Sequence, residues 1–405
     1  MESAINYSFP KITYKSFFWA AGLPGFLLIF RSILFILVQR RRSFDEVGSV
    51  DASATIQILY TVVCFGVSVY FLSKDSFGKF LLMKSPLFLL FLYHLLATLS
   101  VLWSVNPSMS GFRAFETIAY SLLILSVFSY LGKRFSIDEV IKWLSFFFVF
   151  SILFGAIATE RMAGNGFISI QALLAEQFNS TPFFFFALLF PLGFWIRFGI
   201  VAISILSFSN TSYIGMALGA LFLAKGNTFL KVIFFCLVGS LLVLIFIFDF
   251  EELLQNTIFY GQDGIGLEYT TGRDKIFDLA IKSMQDKPLS GYGFVAGETF
   301  IINDQFKAAI GAHNGLISGI LGMGILGGVL YFLFFAKTFF YVYSRKIEKR
   351  FKAIFLSSIT LVAIHSLGNP GIGSRVYGVW IPSIVILTFI IGLSYLLTFQ
   401  KDRTT

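Results

Sequence analysis

The sequence predicts an all-α, polytopic membrane protein with about twelve transmembrane helices and one large loop outside the bilayer. Three observations carry this prediction. First, 57% of the 405 residues are hydrophobic, only 13% are charged and 53 are Phe, a composition whose surface needs lipid around it. Second, apolar runs recur that suit a bilayer core of roughly 30 Å, which takes about 20 helical residues. Third, those runs are unbroken rather than alternating, so they read as helices and not as barrel strands, the two structures that satisfy their own backbone in lipid.

In chain order, spans are expected near 16–38, 55–73, 85–103, 114–131, 139–157, 168–194, 198–208, 210–224, 230–249, 313–338, 353–369 and 376–398. The first apolar stretch begins near Phe17 and runs past signal-peptide length to Val38, so it is expected to stay as a span. Segments 198–208 and 210–224 are each too short for an upright crossing, and Ser207, Ser209, Asn210 and Ser212 surround their junction. They read as short helices meeting at a polar break, which lipid tolerates only beside protein or a water-filled cavity. The chain thus divides into N-terminal helices over 1–249, a loop with an amphipathic helix over 250–312, and C-terminal helices over 313–405.

Charge sets the expected orientation. Lys133/Arg134, Lys225/Lys231, the Arg345–Lys352 cluster and Lys401/Arg403 belong on the cytoplasmic side, and both termini then lie inside. The stretch Asp249–Ala312 carries ten acids against five bases, which suits a translocated segment. Arg40, Arg41 and Arg42 resist the scheme: either the first stretch, which also holds Arg31, is not a simple span, or Asp45, Glu46 and Asp51 offset them. The net charge of +9 follows mostly from basic loops facing an anionic leaflet and gives no argument for nucleic acid. Cys64 and Cys236 sit in apolar runs, where a thiol packs as a small hydrophobe. No Cys/His cluster has a metal-ligand spacing, and Asp249-Phe250-Glu251 reads as a solvated helix terminus, so neither a metal nor a cofactor is expected.

The candidate chemistry lies in the loop and at span ends. Ile276, Phe277, Ala280, Ile281 and Met284 fall on one helical face, with Asp274, Asp278, Lys282 and Gln285 opposite. Thr271 suits the N-cap, Asp274 a capping box, Pro288 the stop, and Gly291-Tyr292-Gly293 a turn. Such a helix lies on the bilayer surface or over a cavity mouth. Arg273 stands in its first turn, where the helix dipole disfavours a cation unless an anion is close. A phosphate answers that, and so does a pairing with Asp274, Asp278 or Glu268.

His313-Asn314 stands at the start of a span that continues with Gly315, Gly319, Gly322, Gly324, Gly327 and Gly328, glycines that let neighbouring helices approach closely. His313 reads either as a general base or as an interfacial histidine that wets its ring. Arg161 in Glu160-Arg161-Met162-Ala163-Gly164-Asn165-Gly166, Arg113 after Trp103-Ser104-Val105-Asn106-Pro107, and Arg375 before the last span are anion ligands or snorkelling anchors. His94 and His365 fall within spans and read as satisfied buried histidines.

Thr271-Gly272-Arg273-Asp274, Pro288-Leu289-Ser290-Gly291-Tyr292-Gly293-Phe294, His313-Asn314-Gly315 before a Gly-rich span, Leu102 to Pro107 with Arg113, and the Ser207 to Ser212 break together resemble the O-antigen ligase and polymerase superfamily of bacterial envelope enzymes. The resemblance covers most of residues 100–340. It implies a GT-C-like glycosyltransferase of the inner membrane, working on the periplasmic face with an undecaprenyl-pyrophosphate-linked oligosaccharide. Membrane lipid and other polysaccharide-assembly membrane proteins would be its surroundings. Under this resemblance Arg273 and Arg161 contact the pyrophosphate, His313 is the catalytic histidine, and Arg113, Asn314, Asn165 and Tyr292 bind substrate. The chain departs from the family pattern at Phe277, where a tryptophan is usual, and at Tyr213, where an arginine is common. The Trp-Ser-Val-Asn-Pro and Thr-Gly-Arg-Asp segments look closer to polymerases than to ligases that move glycan to a lipid A core. A transporter of lipid-linked glycan is the alternative from another class.

Overall fold

A computed structural model describes residues 21–38, 52–163, 181–191, 199, 210–223, 278–305, 314–368 and 380–404, and among them every regular element is helical. Among the described residues six helices are long and apolar enough to cross a membrane, or seven if a bent pair counts as one span. The expected spans at 230–249 and, but for Gly199, at 198–208 lie outside the described residues.

α1 (Gly22–Val38) and α2 (Ala52–Ser73) come first. α3 (Ser76–Lys84) and α4 (Leu87–Leu99) follow, the latter running into a 3-10 turn over Ser100–Trp103. α3 and α4 form the bent pair, turning by 80°. Ser85-Pro86 makes the bend: Ser85 is extended (φ −121°, ψ 177°), the conformation that a following proline imposes. Ser85 Oγ accepts the Leu87 N–H at 3.2 Å, satisfying one of the freed donors.

α5 (Pro107–Arg134) starts earlier than hydropathy alone suggests, because Asn106 caps it and Pro107 occupies its first turn. Its last turn carries Lys133 and Arg134, where cations complement the helix dipole. Ser136 and Glu139 form a reciprocal capping box at 3.0 Å and 3.4 Å that starts α6 (Ile137–Ala163). The expected helix over 168–194 takes another form in its described part, two 3-10 turns at Thr181–Phe183 and Phe186–Leu189. Phe190 is extended before Pro191, which ends any helix there.

α7 (Asn210–Leu223) packs on α11 (Lys349–Gly368) through Gly215 and Gly219. A Cβ at Gly215 would lie 2.8 Å from Leu361 and one at Gly219 2.9 Å from the Ser357 carbonyl, while Ser357 Oγ donates to Gly219 O at 2.8 Å. This is a small-xxx-small contact with its interhelical hydrogen bond.

Residues 278–286 form α8, followed by α9 (Ala296–Gln305) and α10 (Gly315–Ser344). α12 (Trp380–Thr404) is buried on all sides from Ile384 to Leu393, against α5, α6, α10 and α11. A helix apolar all round belongs inside a bundle. Trp143 of α6 stacks between Phe147 and Phe389 with ring centroids 5.8 and 6.1 Å away, so aromatic packing fills the core. By contrast Leu59 and Val63 of α2 and Phe332 and Phe340 of α10 are exposed, as suits lipid-facing helices.

Candidate functional site

The segment 288–294 is built to enter another backbone. Pro288 lacks an N–H, and Gly291 (φ 65°) and Gly293 (φ 99°) both occupy the left-handed region that favours glycine. The peptide reaches α10 where Gly324 (φ 69°, ψ −168°) interrupts the helix. In an unbroken helix the Ile325 N–H would bond to Leu321 O. Here Ile325 N–H donates to Pro288 O, Tyr292 N–H donates to Leu321 O, and Gly293 N–H donates to Gly322 O, each at 2.8 Å. The loop therefore replaces hydrogen bonds that the broken helix forfeits, which buried backbone groups require. A Cβ on Gly291 would stand 2.6 Å from Leu321 O, and one on Gly322 3.1 Å from Phe294 Cα.

A third segment locks the other side of the loop. Trp103 Nε1–H donates to Ser290 O, and Val105 N–H donates to Tyr292 O at 2.9 Å. Ser100 Oγ accepts from Phe294 N–H at 2.9 Å, and Ser110 Oγ donates to Phe294 O at 2.8 Å. Ser104 Oγ lies 2.7 Å from Ser110 Oγ and accepts the Asn106 N–H at 3.0 Å. Each such bond contributes about 0.5–1.5 kcal/mol net. The Phe294 ring is fully buried, edge-on to Tyr93 at 6.3 Å.

Three of the residues singled out in the sequence are described with their side chains, each on its own element. Arg113, one turn beyond Ser110, is a quarter exposed and pairs with buried Glu116 at 2.7 Å. Asn314 caps α10: its Oδ1 accepts from Leu316 and Ile317 N–H at 3.0 and 3.1 Å. Tyr292 donates its hydroxyl to Ser283 O at 3.0 Å, tying α8 to the loop, and Lys287 stands 4.7 Å from its ring. Burial and the nearby Asp286 carboxylate push the Tyr292 phenol above its ordinary range.

Arg161 lies in the last turn of α6, with its side chain outside the described residues; His313, Arg273 and Asn165 lie outside them altogether. So do Ile276 and Phe277 of the expected apolar face of α8. On the rest of that face, Ala280 and Met284 pack against Ile302 and Leu321, but Ile281 is 50% exposed. His94 and His365 are both buried, as expected for histidines within spans.

Two carboxylates escaped the sequence reading. Glu116 and Glu298 are only 5% and 3% exposed. For Glu116 the available signal was an acid within the span expected at 114–131, a functional candidate by default; Glu298, in the loop segment, carried no such signal. Among the described residues no group of three or more His, Cys, Asp or Glu could hold a metal ion. No family model matches the chain, and no curated protein matches it.

Proposed function

We propose that this chain is a multi-pass enzyme of the bacterial inner membrane, GT-C-like with about twelve spans, belonging to the O-antigen ligase and polymerase superfamily. It polymerises undecaprenyl-pyrophosphate-linked glycan repeats on the periplasmic face. The observation that supports this reading is the interlock of 100–110, 288–294 and α10. Segments on which the resemblance rests bond directly to one another, Trp103 to Ser290 across 187 residues of sequence, and carry Arg113, Tyr292 and Asn314 on the three joined elements.

In this reading the acceptor hydroxyl attacks the anomeric carbon, its proton passes to His313, and the pyrophosphate leaves with the bonding electron pair. Configuration at that carbon inverts. Arg273 and Arg161 stabilise the departing charge through charge-assisted, bidentate hydrogen bonds, so the reading invokes no metal. The interrupted α10 also favours a second reading, transport of a lipid-linked glycan, since discontinuous helices line transporter sites.

The test is the purified protein in liposomes with an undecaprenyl-pyrophosphate-linked repeat. A ladder of longer glycans is the expected product, and His313→Ala should slow its formation by about 10²–10⁴ while donor binding survives. A His313→Ala rate within a few-fold of wild type removes the base assignment. Transfer to lipid A core alone would make the protein a ligase, and movement of donor across the bilayer without any new bond would make it a transporter.

A further inference from the structure

At the opposite end of α5 from the interlock, a cavity of about 220 Å³ opens between the end of α2, the start of α3 and the last turn of α5, lined by Tyr70, Lys74, Asp75, Tyr130, Lys133 and Arg134 among others. Its charges do not balance. Lys133 is matched by Asp75, whose carboxylate also accepts from Ser129 Oγ and, at 3.0 Å, from the Phe77 N–H. Among the described residues Lys74 and Arg134 have no carboxylate partner. Aromatic rings hold both in place: Lys74 Nζ lies 4.3 Å from the Tyr70 ring and donates to its hydroxyl at 2.8 Å, and the Arg134 guanidinium lies 3.8 Å from the Tyr130 ring. A cation held on a ring face keeps most of its N–H donors available.

A second feature points to what fills the cavity. Leu59, Val62, Val63, Val69 and Tyr70 are exposed on α2, spaced as one helical stripe that leads to Lys74. Gly66 lies in that stripe with nothing within 4 Å of a Cβ position. The stripe can take an acyl chain while the cavity takes its headgroup.

We propose that this cavity binds a phosphate group, supplied by the headgroup of an anionic phospholipid whose acyl chain lies along α2. Basic pockets between spans recognise such headgroups, at about 1 kcal/mol per Lys or Arg near the surface. The site is independent of the glycosyltransferase reading.

The experiment is native mass spectrometry of the full chain in neutral detergent, titrated separately with phosphatidylglycerol, phosphatidylcholine and inorganic phosphate. Phosphatidylglycerol should bind at least tenfold more tightly than phosphatidylcholine. The double variant Lys74→Gln/Arg134→Gln should weaken phosphatidylglycerol binding on the order of 30-fold, about fivefold for each cation, and leave phosphatidylcholine unchanged. The charge-keeping exchange Lys74→Arg/Arg134→Lys should retain binding, and raised salt should weaken the wild type even if the double variant does not fold. Inorganic phosphate binding as tightly as the lipid, with the same dependence on Lys74 and Arg134, would keep the phosphate site and overturn its lipid source. Equal binding of the two lipids, or phosphatidylglycerol binding indifferent to salt and to both cations, would overturn the proposal.

Discussion

At its N-terminal end α5 meets the molecule through neutral hydrogen bonds: Ser110 and its neighbours Ser100, Trp103 and Val105 bind the backbone of 290–294, and Ser104 bonds to Ser110. At its C-terminal end the partners are charges, with Lys133 on Asp75 and Arg134 on the Tyr130 ring beside an open cavity. Neutral bonds buried in protein demand strict geometry and ignore salt. Charges at a wet edge tolerate small displacements but respond to ions and pH. One helix thus joins a rigid locus at Ser110 to an adaptable one at Lys133, about 35 Å apart at 1.5 Å per residue.

This contrast predicts graded responses. The largest belongs to Gly291→Ala, which forces a side chain into positive φ, at about 1–2 kcal/mol, and against the Leu321 carbonyl. Thermal unfolding should show a loss above about 2 kcal/mol, whereas Gly66→Ala, in open space on α2, should be neutral or slightly stabilising. Equal effects at the two glycines would show that 288–294 is not wedged in α10. Next is Ser100→Ala, which strands the buried Phe294 N–H and should cost about 1–3 kcal/mol, equally at low and high salt. A salt-dependent loss would contradict the neutral character of this end.

The smallest effect concerns Asp75. Burial works to raise its carboxyl, but hydrogen bonds from Lys133 and Ser129, the Lys133 charge and the Phe77 N–H outweigh burial and hold it below the ordinary value of about 3.9. A depressed folded value means that this stabilisation is whole above the ordinary range and fades as pH falls through the lower one. Asp75→Asn should therefore destabilise modestly at pH 7 and narrow the gap to wild type as pH falls below about 4. A gap that stays constant down to pH 2 would remove the charge from the account.

Much of the helical plan was legible because bilayer thickness writes itself into run length. The expected segment 85–103 matches α4 with its 3-10 extension, and 55–73 matches most of α2. α3 was missed, although Ser85-Pro86 announced a break, because nine residues are too few to register as a span. The face of α8 was half legible. Hydrophobicity cannot separate Ala280 from Ile281, since a membrane protein turns apolar side chains toward lipid as readily as toward its core. For the site, the turn at Gly291-Tyr292-Gly293 and the glycines of α10 were readable one by one. Their mutual contact was not, because a glycine that admits a helix and one that admits a loop look alike until the partner is known. Gly319 admits Tyr93 of α4, yet Gly322 admits Phe294 of the loop.

The exchange of hydrogen bonds at Leu321 and Ile325 bears on how the chain is made. Before 288–294 arrives, α10 is thirty residues that can satisfy their own backbone as a straight rod, the form in which an insertion machine accepts a span. The bend becomes affordable only when Pro288, Tyr292 and Gly293 supply the missing donors and acceptor. The bend therefore depends on the docked loop, whereas a straight α10 depends on its own backbone alone. A chain whose loop fails to dock retains a continuous α10 and a glycine row with no occupant, fully inserted yet unfinished.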